Sequence, residues 1–267
     1  MRYYKRFFLT TVLCAPLSLW AGCLEQPQGG CSIFSLSPSL GYYKYAEPSL
    51  MNIQGPLVGI EGEYQYISTK NIVLWINGGF AFVNGRYDGS SVNLITLERT
   101  PLTFHNDKSY ILNLSPKIGY RISFYSKGVS LLPYIGAGYR YLYNNTTDNV
   151  EGGYERISNY FYVPIGLQLT KVWNKWIWQS QIEFDIFAYG YQYSGTDGGF
   201  TNAQHDGYGA NAYTLFGRKE HMLSWLIGPY IQYWNIKQSE FAKGDTRTWY
   251  EPENYTINTG VMVKFIF

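Results

Sequence analysis

Tyr255-Thr256-Ile257-Asn258-Thr259-Gly260-Val261-Met262-Val263-Lys264-Phe265-Ile266-Phe267 is the stretch whose reading decides the fold. Tyr255, Ile257, Thr259, Val261, Val263, Phe265 and Phe267 share one parity, and Thr256, Asn258, Gly260, Met262, Lys264 and Ile266 share the other. A β-strand sends successive side chains to opposite faces, so this period of two describes a strand with one apolar face and one mixed face. The segment before it alternates likewise, with Leu223, Trp225, Ile227, Pro229, Ile231 and Tyr233 opposite Ser224, Gly228, Tyr230 and Gln232. The first face suits lipid and the second suits a lumen.

Composition agrees. Aromatic residues are 19% of the 267, with 27 Tyr, while charged residues are only 15%. A soluble domain carries about 25% charged residues, and a helical membrane protein shows apolar runs of about 20 residues. Beyond the first residues no such run occurs, so a spanning structure has to hide its backbone polar groups by pairing strands into a closed ring. A formal net charge of +2 without a basic cluster gives no footprint for nucleic acid.

The same alternation marks ten candidate strands at 34–45, 57–66, 72–83, 109–122, 131–143, 157–170, 176–193, 207–217, 222–237 and 255–267. The eighth has the faintest pattern, and an eight-stranded ring is the alternative. An even number places both chain ends on one side. Pairing the strands leaves short links at 68–71, 125–128, 171–175 and 218–221, alternating with longer ones at 46–54, 84–108, 144–156, 194–206 and 238–254. Tight turns on one side and extended loops on the other are what a membrane barrel shows; a β-sandwich has no reason to sort its loops. The expectation is an all-β, transmembrane, antiparallel up-and-down barrel over residues 34–267 with five outer loops. Tyr42, Tyr120, Trp176 and Tyr255, at strand ends, suit interfacial girdles.

Residues 1–23 read as a signal peptide: Arg2, Lys5 and Arg6 precede an apolar stretch from Phe7 to Trp20. Residues 24–33 are expected to be a short periplasmic segment. Leu19-Trp20-Ala21-Gly22-Cys23 resembles a bacterial lipoprotein box with Trp20 out of place, and Cys23 and Cys31 form a disulfide or stay apart with equal weight.

Extending the lipid-facing parity points Glu61, Glu63, Lys117, Arg121, Arg140, Glu183, Asp185 and Lys264 inward, four acids against four bases, together with Tyr134, Tyr160, Tyr162, Tyr189 and Tyr191. About eight strands leave just enough room for side chains to fill the interior and wide aqueous channels need about sixteen, so this balance reads as ion pairs across a filled lumen. The same charges lining a wet constriction would make a narrow channel. At the rim, His205 with Asp206 or Asp88 could activate water, although Asp and His are ordinary solvated loop residues. No metal-ligand spacing, Gly-x-Ser-x-Gly stretch or phosphate-cradling loop occurs, so neither metal nor cofactor is expected.

The signal sequence, the stretch Leu132-Pro133-Tyr134-Ile135-Gly136-Ala137-Gly138-Tyr139 and the alternating tail ending in Phe267 resemble the small bacterial outer-membrane β-barrels. That resemblance implies a Gram-negative outer membrane, lipid and lipopolysaccharide as surroundings, and Phe265 and Phe267 as the signal read by the barrel-insertion machinery. It implies no single activity, since the family holds adhesins, channels, enzymes and structural proteins. In layout only, ten strands with acids and His in the second and fourth outer loops resemble the omptin surface proteases, without that family's paired acids in the second loop. The reading carried forward is a non-enzymatic scaffold whose loops bind an extracellular ligand. The alternatives are a narrow solute-specific channel and a rim hydrolase of omptin or lipid A-modifying type.

Overall fold

The computed structural model describes residues 30–92, 98–220 and 223–267, side chains of Ser91 and Val92 excepted. Ten strands form the wall: β1 (Cys31–Glu47), β2 (Met51–Ile67), β3 (Ile72–Val92), β4 (Arg99–Tyr120, running on through Ile122–Phe124), β5 (Val129–Gly136 and Gly138–Asn145, one stave interrupted at Ala137), β6 (Glu155–Trp173), β7 (Trp176–Ser194), β8 (Gly207–Arg218), β9 (Ser224–Ile236) and β10 (Asn254–Ile266). Each pairs antiparallel with its sequence neighbours, and β10 returns to β1 through Leu36↔Phe265 and Ala46↔Tyr255, closing the ring. Closure leaves no wall edge unpaired, which backbone in hydrocarbon requires. Among the described residues no helix is long and apolar enough to cross a membrane.

Alternation sorts the two faces as the sequence implies. Leu40, Val58, Leu74, Ile118, Ile182 and Val261 stand exposed on the outside, an apolar belt for lipid. Tyr42 near the long-loop end and Tyr120 near the short-turn end also point outward, where amphipathic rings sit at headgroup level. Phe265 and Phe267 lie at the β10 terminus; the Phe267 amide donates to the Phe34 carbonyl at 2.9 Å and the two rings are 5.7 Å apart.

The short turns are made by residues that tolerate left-handed backbone: Asn71, Gly128 and Asn174 have φ of 62°, 60° and 51°. The long-loop end departs from expectation. The first link is no loop, because β1 and β2 stay paired up to Glu47↔Met51 and Ser49, at φ 66°, turns the chain. The second is a strand hairpin, with β3 and β4 paired to Val92↔Arg99 and one bulge at Asn106. The β3–β4 extension is rich in polar residues and carries no clear apolar alternation, while in the first link Met51 and Ile53 are buried inward in a cluster with Tyr43 and Tyr45. β1 also starts at Cys31, inside the segment expected to precede the barrel; Cys31 is disulfide-bonded. Cys23 and the signal peptide lie outside the described residues.

Two inward assignments fail for a single physical reason. Phe161 pairs with Tyr189 while Tyr162 pairs with Phe187, so Ala188 is an extra residue in β7. A bulge of one residue flips every later side chain to the opposite face. Tyr189 is therefore exposed and Tyr191 shares its face, whereas Gly190, Gln192 and Ser194 point inward.

Candidate functional site

The interior is stacked in layers along the barrel axis. At the short-turn end Ile33, Ile67, Val73, Val172, Ile177 and Leu226 meet in one apolar cluster. Strand ends supply these residues, and branched side chains pack across the ring there. Two glycines let large rings lie flat against the wall: a Cβ on Gly166 would collide with the Tyr134 hydroxyl oxygen, and one on Gly138 with the Tyr162 ring.

Above that layer run the charges. Lys117 Nζ meets Glu183 Oε2 at 2.5 Å, with both side chains almost wholly buried. Lys117 also stands 4.6 Å from the centre of the Trp75 ring and 5.0 Å from that of Tyr134, a cation held on π faces. The Tyr134 hydroxyl donates to the same Glu183 oxygen at 2.7 Å, and Asn211 Nδ2 donates to Glu183 Oε1 at 3.1 Å and to Asp185 Oδ2 at 2.7 Å. Lys264 Nζ meets Glu63 Oε2 at 2.7 Å, and the Ser35 hydroxyl donates to that oxygen at 3.2 Å. Asn77 Nδ2 donates to Glu61 at 3.3 Å. Buried charges persist when paired and hydrogen-bonded; Glu183 and Glu63 each have a lysine, whereas Glu61 and Asp185 are held by the Asn77 and Asn211 amides and Asp185 Oδ1 lacks a partner. Between them lie two cavities of about 50 and about 60 Å³, sharing Glu61, Asn113 and Tyr230 as lining; each has room for a few waters.

The remaining two of the eight expected lumen charges behave differently. Arg121 is buried near the short-turn end, where its amide donates to the Asn71 carbonyl. Arg140 is 1% exposed, stacks over Trp234 at 5.2 Å, and leaves Nε and Nη2 without a hydrogen-bond partner. Tyr160, Tyr162 and Phe187 pack around Trp234, the first two inward as expected.

The long-loop end holds a cluster the sequence reading missed. Arg156 Nη1 meets Glu47 Oε1 at 2.7 Å and Glu251 Oε1 at 4.0 Å. The Tyr45 hydroxyl lies 3.0 Å from Glu47 and 3.2 Å from Glu251. Glu251 belongs to the last outer loop (237–253), which folds over the mouth. Inward parity continued two residues past Tyr45 and one before Ile157 would have found Glu47 and Arg156; nothing periodic marks Glu251. The same loop is fastened to its neighbour. Phe200–Gln204 extends the β7 edge, Asn202 Nδ2 donates to the Glu240 and Trp249 carbonyls, and Phe200 stacks on Trp249 at 5.8 Å. Asp197 accepts from the Trp249 indole at 2.7 Å and from the Thr246 hydroxyl at 2.7 Å, bonds that hold its carboxyl below the usual range.

The rim candidates are not assembled. His205 pairs with Glu240 at 3.2 Å and packs on Tyr189, both partners exposed, while Asp88 is taken by Arg86 at 2.8 Å and by the Thr103 hydroxyl at 2.9 Å. The Asp206 carbonyl accepts from the Lys237 amide. Among the described residues no group of three or more His, Cys, Asp or Glu could hold a metal ion.

A closed antiparallel wall, an outward apolar belt and a polar interior now stand beside known structures. The outer membrane protease OmpT of Escherichia coli superposes with a TM-score of 0.58 at 10% identity, covering 91% of this chain and 98% of that one. This chain has the fold of the small bacterial outer-membrane β-barrels. A major outer membrane protein of Thermus thermophilus (TM-score 0.42, 11% identity, 89% and 100% covered) and the attachment invasion locus protein Ail of Yersinia pestis (0.34, 11%, 88% and 99%) also align. No protein-family model matches the sequence, and no curated protein does. At such identities the outer-membrane barrel likeness is one of fold alone.

Proposed function

We propose that this outer-membrane barrel is a non-conducting, non-enzymatic scaffold that presents its outer loops to a ligand outside the cell. One observation carries the first half: side chains cross the lumen, in the apolar layer at the short-turn end and in the Lys117–Glu183 and Lys264–Glu63 pairs above it, with small cavities between them. A conduit needs charges that a passing solute can reach, whereas these are already satisfied by one another. The loops favour the second half. The β3–β4 hairpin extends past the last pairing of its neighbours, Asn52↔Asp88 and Lys108↔Asn145, and Phe241 and Tyr250 stand exposed on the last loop. Export by the 1–23 leader, insertion through the Phe265 and Phe267 terminus, and surroundings of lipid and lipopolysaccharide complete the reading.

Purified protein in planar bilayers is the test. The expected trace is flat, and remains flat after residues 238–253 are replaced by a short turn. Reproducible unitary steps would overturn the reading in favour of the narrow channel. Separately, replacing 84–108 by a tight turn is expected to leave insertion intact and to abolish adhesion of expressing cells to a glycan- or matrix-coated surface.

A further inference from the structure

Two buried carboxylates at the mouth share one guanidinium. Glu47 ends β1, Glu251 hangs from the last loop, and each is 5% exposed. The groups facing them are Tyr45 from β1, Arg156 and Tyr160 from β6, Tyr154 just before β6, Gln192 from β7 and Ser239 from the loop itself, with Tyr87 of β3 and Asp107 of β4 further off. Arg156 is the one cation of that set. It is committed to Glu47 at 2.7 Å and stands 4.0 Å from Glu251. The single Tyr45 hydroxyl hydrogen cannot serve two carboxylates at once. One positive charge and one phenolic proton are divided between two buried carboxylates, with a neutral amide from Gln192 beside Glu251, an arrangement that favours a proton on the second.

We infer that the last outer loop is a proton-latched lid: protonated Glu251 docks it into the mouth, and loss of that proton releases it. The docked loop holds its own base together, the Ser239 amide donating to the Glu251 carbonyl at 3.0 Å and the Glu251 amide to the Ser239 hydroxyl at 2.7 Å. Beside the Tyr45 and Tyr160 rings it covers polar groups: Gln192 and Gln204 are fully buried, both polar atoms of the Gln204 amide lack partners, and the Asn202 carbonyl oxygen lacks one too. Such groups gain water when the lid lifts, which offsets part of the cost of wetting the two rings. The apolar layer at the far end stays in place, so an open lid exposes a blind cup.

The sign follows from linkage. Burial, with Glu47 adding to it against Arg156, pushes the docked Glu251 carboxyl up to about 7 from the ordinary 4.5. A state that holds its proton more tightly is favoured below the free value and loses that advantage as pH rises through the docked one. The lid is tight at pH 5 and loosens between pH 5 and 8. The Asp197 fastening, whose carboxyl sits below its usual range, stays charged throughout that window.

Hydrogen exchange of the full-length protein in lipid nanodiscs, corrected for the intrinsic pH dependence of exchange, reads this directly. At pH 8.5 the amides around 239–241 and 250–252 are expected to exchange about tenfold or more faster than at pH 5.5, while those of 244–249, beside Asp197, keep their protection. Glu251→Gln, neutral at every pH, should stay protected at both. Should that variant fail to fold, Glu47→Gln serves instead: with the repelling charge gone, the midpoint should move to lower pH. A wild-type lid whose protection is the same at both pH values, a pH response surviving in Glu251→Gln, or an unmoved midpoint in Glu47→Gln would each overturn the latch.

Discussion

The two halves of the lumen handle buried charge in opposite ways. Toward the short-turn end each lysine faces a carboxylate at 2.5 or 2.7 Å, with hydroxyl and amide donors added, although Trp75 Nε1, Asn77 Oδ1 and Ser115 Oγ nearby lack partners. Toward the long-loop end Arg140 keeps two nitrogens unpartnered, Asp107 keeps one oxygen unpartnered, and two carboxylates divide a single arginine. A satisfied network is rigid and specifies one packing, whereas an unsatisfied one calls for ordered water and yields more readily. The barrel is thus bolted at one end and adjustable at the other, the end that meets the outside.

The strongest way to break this contrast is at Lys117. Lys117→Met leaves Glu183 buried without its cation and is expected to cost about 3–5 kcal/mol in urea unfolding from lipid vesicles. Adding Glu183→Leu removes the stranded charge, and the double variant should recover most of that loss. A single variant as stable as wild type would mean that water reaches Glu183, and the filled-lumen reading would fall with it.

Packing at the join between the halves comes next. Gly138→Ala drives a methyl into the Tyr162 ring and, as overpacking, should cost about 1–3 kcal/mol in the same assay. Arg140→Met should cost far less than Lys117→Met, staying within about 1 kcal/mol of wild type, because replacing a buried cation that lacks hydrogen-bond partners at Nε and Nη2 by an uncharged thioether removes a desolvation cost. Equal losses at Lys117 and Arg140 would erase the difference between the halves.

How much of this was legible in the sequence follows from where period two holds. Inside the membrane one face must be apolar, so alternation located all ten strands and put Glu61, Glu63, Lys117, Glu183 and Lys264 in the lumen. Where lipid stops, that constraint stops, and the β3–β4 hairpin looked like a loop although it is paired to Val92↔Arg99. Ala188 defeated the parity count for Tyr189 and Tyr191 because a bulge has no signature in a run such as Phe187-Ala188-Tyr189-Gly190. Glu251 and Asp197 were out of reach for another reason: loop docking depends on contacts between segments distant in sequence, such as Tyr45 with Glu251 and Asp197 with Trp249.

The smallest expected effect tests whether the latch or the surface holds the last loop. Lys237 and Glu253 flank that loop and meet at 2.5 Å, which makes them look like its clasp. Both are exposed, and the bond raises the Lys237 ammonium and lowers the Glu253 carboxyl from their ordinary values. Both groups therefore stay charged between pH 5 and 8 and contribute nothing to a pH response there. Solvent and salt screen such pairs, so Lys237→Ala should leave unfolding and the exchange of 239–241 unchanged at moderate ionic strength. If that variant freed the loop at pH 5.5, the anchor would be the exposed pair, and the buried triad of Tyr45, Glu47 and Arg156 would have no claim to hold it.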